Sequence, residues 1–151
     1  MTSQIQIIEL TSNDALLLSN LLLSADDNLY FDPFKFDFDT IKNILSNAVL
    51  DKYWGIYFNN LLVGFFMMRG FDSGFEIPSY GVLIGSKYSS KGLATLSLHF
   101  AISWAKLNNI KKMILKVHPN NLVAKAIYEK YYFIQSGVDP KNNNFIYYRN
   151  L

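Results

Sequence analysis

Tyr80-Gly81-Val82-Leu83-Ile84-Gly85-Ser86-Lys87-Tyr88-Ser89-Ser90-Lys91-Gly92-Leu93-Ala94-Thr95 decides the fold. An apolar strand, Tyr80–Ile84, runs into a polar loop of small residues, Gly85–Lys91, and Gly92 then opens an amphipathic helix that reaches Leu107. The first N–H groups of a helix have no intrahelical partner, and the helix dipole adds about half a positive charge there. Gly92 and Ala94 let an anion approach the backbone closely. Ser89, Ser90 and Thr95 add hydroxyls, and Lys87 and Lys91 add charge. The loop therefore reads as a cradle for a phosphate or pyrophosphate. It matches neither G-x-G-x-x-G nor G-x-x-x-x-G-K-[ST].

Leu93, Leu96, Phe100, Ile102, Ala105 and Leu107 supply the apolar face expected of that helix, with Trp104 beside it, and Asn108-Asn109 ends it. Lys111–Val117 alternates as a strand parallel to Tyr80–Ile84, joined to it by the helix crossover. His118-Pro119-Asn120 leaves the strand, and Asn121–Tyr131 reads as a last helix. Asn121 and Tyr128 lie seven residues apart, two turns along one face, a spacing that lets both address one elongated ligand.

These two segments in series resemble the GNAT family of N-acetyltransferases. The family's loop, [Q/R]-x-x-G-x-[G/A], stands here as Ser89-Ser90-Lys91-Gly92-Leu93-Ala94, with Ser89 departing from Gln or Arg. The later pattern, N-x-x-A-x-x-x-Y-x-K-x-G-F, stands as Asn121, Ala124, Tyr128, Lys130 and Phe133, with Tyr132 where the family has Gly. The similarity covers most of residues 54–138. It implies an α/β (α+β) fold: a mixed, mostly antiparallel sheet of about seven strands, helices on both faces, and fourth and fifth strands that splay apart. It also implies acetyl-CoA as cosubstrate and direct attack of an amine on the thioester within a ternary complex. Ser89, Ser90, Lys91, Gly92, Leu93, Ala94 and Thr95 would hold the pyrophosphate, and Asn121 the pantetheine arm. Val82, Leu83 and Ile84 would face the cofactor, with oxyanion donors among backbone N–H groups near Leu83. Tyr128 would contact the cofactor and protonate the leaving thiolate, and Glu76, then His118, would be the general base.

The preceding chain fits that layout. Ile5–Leu10 reads as a strand, Ala15–Ser24 as a helix after the cap residues Thr11-Ser12-Asn13-Asp14, and Ile41–Leu50 as a helix capped by Asp39-Thr40. Tyr53–Phe58 and Leu61–Arg69 form a hairpin about Asn59-Asn60, since Asn tolerates positive φ. Gly64 marks a bulge or close packing. Gly70–Ser79 reads as a turn, with Glu76 at the start of the fourth strand. Tyr132–Val138 and Asn144–Asn150 close the sheet. The segment Ala25–Phe38 packs aromatics and aspartates around Pro33 with neither clean period. Its aromatics can plug the core. In the family layout the same segment shapes the acceptor pocket, where Tyr30, Phe31 and Phe34 would stack on an amine and the carboxylates pair with it.

The whole chain, 1–151, reads as one acetyltransferase domain of 17.3 kDa. A net charge of +2 and a pI near 8.7 argue against nucleic acid as the main partner. No apolar run approaches the roughly 20 residues of a membrane helix. With no Cys and two isolated His, neither a thiol nucleophile nor a metal site is expected. The expected acceptor is a small polar amine of amino sugar, polyamine or antibiotic type. A protein N-terminus or lysine is the alternative, and a non-catalytic acyl-CoA sensor a further one. A cytoplasmic, bacterial protein is expected, and a homodimer is compatible with the sequence.

Overall fold

Asn59 and Asn60 both adopt positive φ, 49° and 66°, the conformation of the tight turn that the sequence announces between two strands. In the computed structural model, which describes residues 3–25 and 30–151, that hairpin sits in one seven-stranded sheet. The elements are β1 Ile5–Glu9, α1 Ala15–Ser24, α2 Phe38–Asn47, β2 Lys52–Phe58, β3 Leu61–Arg69, β4 Ser79–Ile84, α3 Leu93–Leu107, β5 Lys112–Val117, α4 Leu122–Lys130, β6 Ile134–Val138 and β7 Phe145–Asn150. The strand order is β1-β2-β3-β4-β5-β7-β6. Only β4 and β5 pair in parallel among the described strands.

Helices cover both faces. Against one pack α1 and α2, through Leu18, Leu22, Ile41 and Leu45, onto Tyr53, Phe65, Met67 and Leu83. Against the other pack α3 and α4, through Leu98, Ala101, Ile102, Ala105 and Tyr128, onto Phe66, Tyr80, Met113, Leu115 and Tyr147. Gly64 serves close packing: a Cβ there would lie 2.9 Å from Ile84 Cδ1 and 3.1 Å from Ile56 Cδ1. The expected bulge lies beside it, where the β2–β3 register shifts between Ile56 and Tyr57.

Three expectations need correction. α2 begins at Phe38, because Asp37 caps it, accepting the Thr40 N–H at 3.0 Å and the Thr40 hydroxyl at 2.8 Å. It ends at Asn47, and the Val49, Leu50 and Asp51 N–H groups donate to the Asp72 carboxylate instead of continuing the helix. The buried face of α3 is Ser97, Leu98, Ala101, Ile102 and Ala105, while Leu96, Phe100 and Leu107 are exposed. Small residues on that face let the helix lie close on the sheet. Glu76 is not on a strand: it sits exposed in a bend three residues before β4.

Candidate active site

The site begins where β4 and β5 part. They pair only at Ser79–Ile114 and Tyr80–Leu115, and beyond that β4 runs on to Ile84 and β5 to Val117 without a ladder. The Gly85 N–H donates to the Val63 carbonyl at 2.7 Å, which fixes the hydrogen-bonding parity of β4 on β3. By that parity Leu83 and Gly81 spend their backbone groups on β3. Tyr80, Val82 and Ile84 turn theirs toward β5, and for Val82 and Ile84 no strand is there to meet them. The gap-facing N–H groups on this stretch are therefore those of Val82 and Ile84, on either side of Leu83. A free N–H on an otherwise laddered strand is a rigid, preoriented donor for an oxygen that gains charge.

At the C-terminal end of β4 the loop closes into α3. Gly92 is the N-cap with φ 86° and has no side-chain capping bond. The first intrahelical bond runs from the Leu96 N–H to the Gly92 carbonyl at 3.0 Å. The N–H groups of Leu93, Ala94 and Thr95 precede it, an uncapped positive helix end. Ser90 also has positive φ, 60°, so the backbone turns twice before the helix and gathers its N–H groups. Ser89 does something else: its hydroxyl donates to the Ser86 carbonyl at 2.9 Å and so holds the loop in shape. Lys91 and Lys87 are exposed beside it.

Across the gap stands Tyr128 on α4. It is 8% exposed, and its ring meets Tyr80 edge to face at 6.4 Å and Phe133 at 5.8 Å. Its hydroxyl bonds to no described residue. Every enclosed side-chain polar atom among the described residues does have a partner, so this hydroxyl touches accessible space. Burial raises its pKa well above the usual phenol value, which keeps the proton on through the neutral range. Tyr80, by contrast, is satisfied: its hydroxyl lies 2.8 Å from Ser97 Oγ. Ser97 spends its own proton on the Ala94 carbonyl at 2.8 Å, so Tyr80 is the donor. Asn121 caps α4, accepting the Ala124 N–H at 3.3 Å, and its amide N–H groups are left for other partners.

The α1–α2 connection lies on the other face. Phe31 packs on Gly81, where a Cβ would stand 3.2 Å from its ring. Phe34 lies edge-on to Phe65 and carries the Arg69 guanidinium at 5.1 Å. Tyr30 reaches the far side of the gap, its ring 4.7 Å from His118 just after β5. Residues 26–29 of the aromatic, acidic segment lie outside the described residues. The structure thus brings Tyr30, Phe31, His118, Val82 and Tyr128 to the edges of one gap. His118 accepts the Asn120 N–H on Nδ1 at 3.1 Å, which leaves Nε2 as the other ring nitrogen facing outward from that turn. Glu76 stands apart, exposed and without a bond to any described residue.

Sequence reading missed Tyr80, Ser97, Gly81 and Arg69. Tyr80 and Ser97 lie 17 residues apart on a strand and a helix, and nothing local couples them. Among the described residues no three His, Asp or Glu converge as a metal site, and no helix is long and apolar enough to cross a membrane.

The model of the acetyltransferase (GNAT) family matches residues 18–133. The chain belongs to the GNAT family. Streptothricin acetyltransferase A of Bacillus subtilis is 31% identical to it over 83 residues, 55% of this chain and 47% of that protein. The match thus spans about half the length of that curated relative. Among solved structures, a domain from Methanocaldococcus jannaschii superposes with a TM-score of 0.83 at 23% identity, covering 99% of this chain and 100% of that one. The PaiA N-acetyltransferase of Thermoplasma acidophilum, solved in complex with coenzyme A, superposes with a TM-score of 0.82 at 17% identity, covering 98% and 99%. These likenesses extend over nearly the whole GNAT-family chain and bear out the mixed sheet with its parallel β4–β5 pair.

Proposed function

We propose that this GNAT-family chain is an acetyl-CoA-dependent N-acetyltransferase acting on the primary amine of a small polar molecule, by direct attack in a ternary complex. The observation that carries the reading is the open hydroxyl of buried Tyr128 across the gap from the unpaired backbone of Val82. One is a proton source on a largely buried ring that opens onto the gap, the other a fixed oxyanion donor.

The residues fit a thioester cofactor. The uncapped N–H groups at Leu93–Thr95 suit its pyrophosphate, with Ser90 and Lys91 beside them, and Asn121 has amide donors for the arm. The cofactor supplies the activated acetyl group. The chain's part is to hold the acyl carbonyl on the Val82 N–H, place the amine opposite, and give the Tyr128 proton to the sulfur as the C–S bond breaks. The amine's proton leaves through water, with Glu76 as its acceptor outside the gap. His118 lines the wall, its ring tilted against Tyr30 with centroids 4.7 Å apart, and is the second candidate base after Glu76. The family relative named for an antibiotic, and the aromatic wall of Tyr30, Phe31 and Phe34, support a small polar amine.

The test is release of free CoA from acetyl-CoA against amino sugars, polyamines and peptides. Release that depends on a small amine is expected. Response to peptides alone would move the acceptor to proteins. Tight acetyl-CoA binding with no release from any amine would turn the reading to a sensor, and absence of binding would end it.

A further inference from the structure

At the foot of α2, on the sheet face away from Tyr128, lies an open cavity of about 180 Å³. Asn43, Asn47, Asp51, Tyr53, Arg69 and Asp72 contribute to its lining. Of its lining residues, Tyr53 on β2 lies two strands, roughly 10 Å, from β4, and Arg69 on β3 lies one strand away, paired with Ser79. It shares no residue with the Leu93–Thr95 cradle.

Two of its polar residues are deeply buried yet incompletely bonded. Asp51 is 5% exposed and Tyr53 4%. Asp51 Oδ1 accepts the Gly70 N–H at 2.9 Å and the Asp72 N–H at 3.2 Å, while no described residue bonds Oδ2. The Tyr53 hydroxyl also has no partner among the described residues. Since every enclosed side-chain polar atom there is bonded, both atoms must touch accessible space, and the cavity is the space that both residues line. Arg69 spends one N–H on the Pro33 carbonyl at 3.4 Å. Among the described residues it makes no ion pair with Asp51 or Asp72. Burial pushes the Tyr53 phenol up to about 12, with Arg69 opposing and the two carboxylates adding to the shift, so all three charges act on one neutral hydroxyl donor.

Asp51 Oδ2 and the Tyr53 hydroxyl open onto the cavity, where the polar groups of a ligand can satisfy them. Opposite charges that line one cavity without pairing are complementary to a molecule that carries both. An ammonium alone would leave the guanidinium, which has the Phe34 ring and the Pro33 carbonyl, without an anion, and a carboxylate alone would face Asp51. The geometry points to a binding site for a small zwitterion of the α-amino-acid class, with its ammonium on Asp51 Oδ2 and its carboxylate on Arg69 and the Tyr53 hydroxyl.

The test is an NMR titration of the cofactor-free chain with glycine, with ethanolamine and acetate as single-charge controls. The Gly70 and Asp72 amide signals report directly, because both N–H groups donate to Asp51. Saturable shifts with glycine and none with either control are expected. Tyr53→Phe, which keeps the ring on Phe65, should weaken glycine by about tenfold, the size of one hydrogen bond to a charged group. Asp51→Asn should abolish saturation. An equal response to ethanolamine or acetate, no saturable shift, or undiminished affinity in both variants would overturn the proposal. The readout is binding at this cavity alone and is indifferent to whether the transferase reading holds.

Discussion

Tyr80 and Tyr128 meet edge to face, ring centroids 6.4 Å apart, at the point where β4 and β5 cease to pair. Both phenols are buried and both titrate above their usual range, yet they differ in one respect. Tyr80 donates a hydrogen bond to Ser97, and the Tyr128 hydroxyl donates to no described residue. One hydroxyl is committed to the core, and the other is open to the gap.

Tyr128→Phe should therefore leave fold and cofactor affinity intact and lower kcat at least tenfold, a loss of about 1.4 kcal/mol of transition-state stabilisation. Steady-state kinetics beside calorimetric binding of acetyl-CoA would separate the two. Unchanged kcat would remove Tyr128 from proton transfer.

Ser97→Ala should destabilise the chain by about 1–3 kcal/mol, since it strands the buried Tyr80 hydroxyl. Adding Tyr80→Phe should recover much of that loss, because both partners are then apolar. Denaturant unfolding of the single and double variants measures the coupling. Additive losses would show that the Tyr80–Ser97 bond contributes nothing.

Gly92→Ala tests the cradle. Nothing lies within 4 Å of a Cβ at Gly92, but its φ of 86° is left-handed. The folding penalty should be about 1 kcal/mol, from backbone conformation alone. A larger loss, read as CoA affinity, is expected if an anion must approach that backbone. Affinity that falls no more than stability does would place the anion elsewhere.

Tyr132→Gly should stabilise. Tyr132 sits at φ 70° just after α4, where the Phe133 N–H donates to the Tyr128 carbonyl at 3.0 Å and the Tyr132 N–H to the Glu129 carbonyl at 3.2 Å. That closing pattern favours Gly, and here it carries an exposed aromatic beside Arg149. A gain of about 1 kcal/mol is expected from relief of left-handed strain. Thermal unfolding decides it, and a lower Tm would mean that the Arg149 contact outweighs the strain.

Acid should loosen the link between α2 and β2. The Val49, Leu50 and Asp51 N–H groups hold the Asp72 carboxylate below its ordinary pKa of 3.8. A depressed folded-state pKa adds stability that is present above 3.8 and lost as pH falls through the lower folded value. Asp72→Asn should flatten the unfolding free energy over that window, with its largest loss at neutral pH and its smallest in acid, where Asp72 is protonated. An unaltered slope would acquit Asp72.

The local part of the chain was legible. Asn59-Asn60 can turn without strain, Ala15–Ser24 repeats its leucines on a helical period, and Gly85–Thr95 opens a helix whose end needs a partner. Each of these is set by neighbours in sequence, so residue type and spacing determined it, including the parallel β4–β5 crossover and the helix start at Gly92. What only the tertiary structure decided depends on register and on contacts distant in sequence. Strand parity turned Val82 into the gap and Leu83 toward β3, because a single backbone bond, Gly85 to Val63, fixes which groups face which side. Packing against the sheet chose Ser97 and Ala101 over Leu96 and Phe100 as the inner face of α3. The fold set the His118 ring against Tyr30, and the chain's path set Glu76 off the strand. Hydrophobic period and turn chemistry specify elements, while alignment between elements is settled by the energy of the whole assembled core.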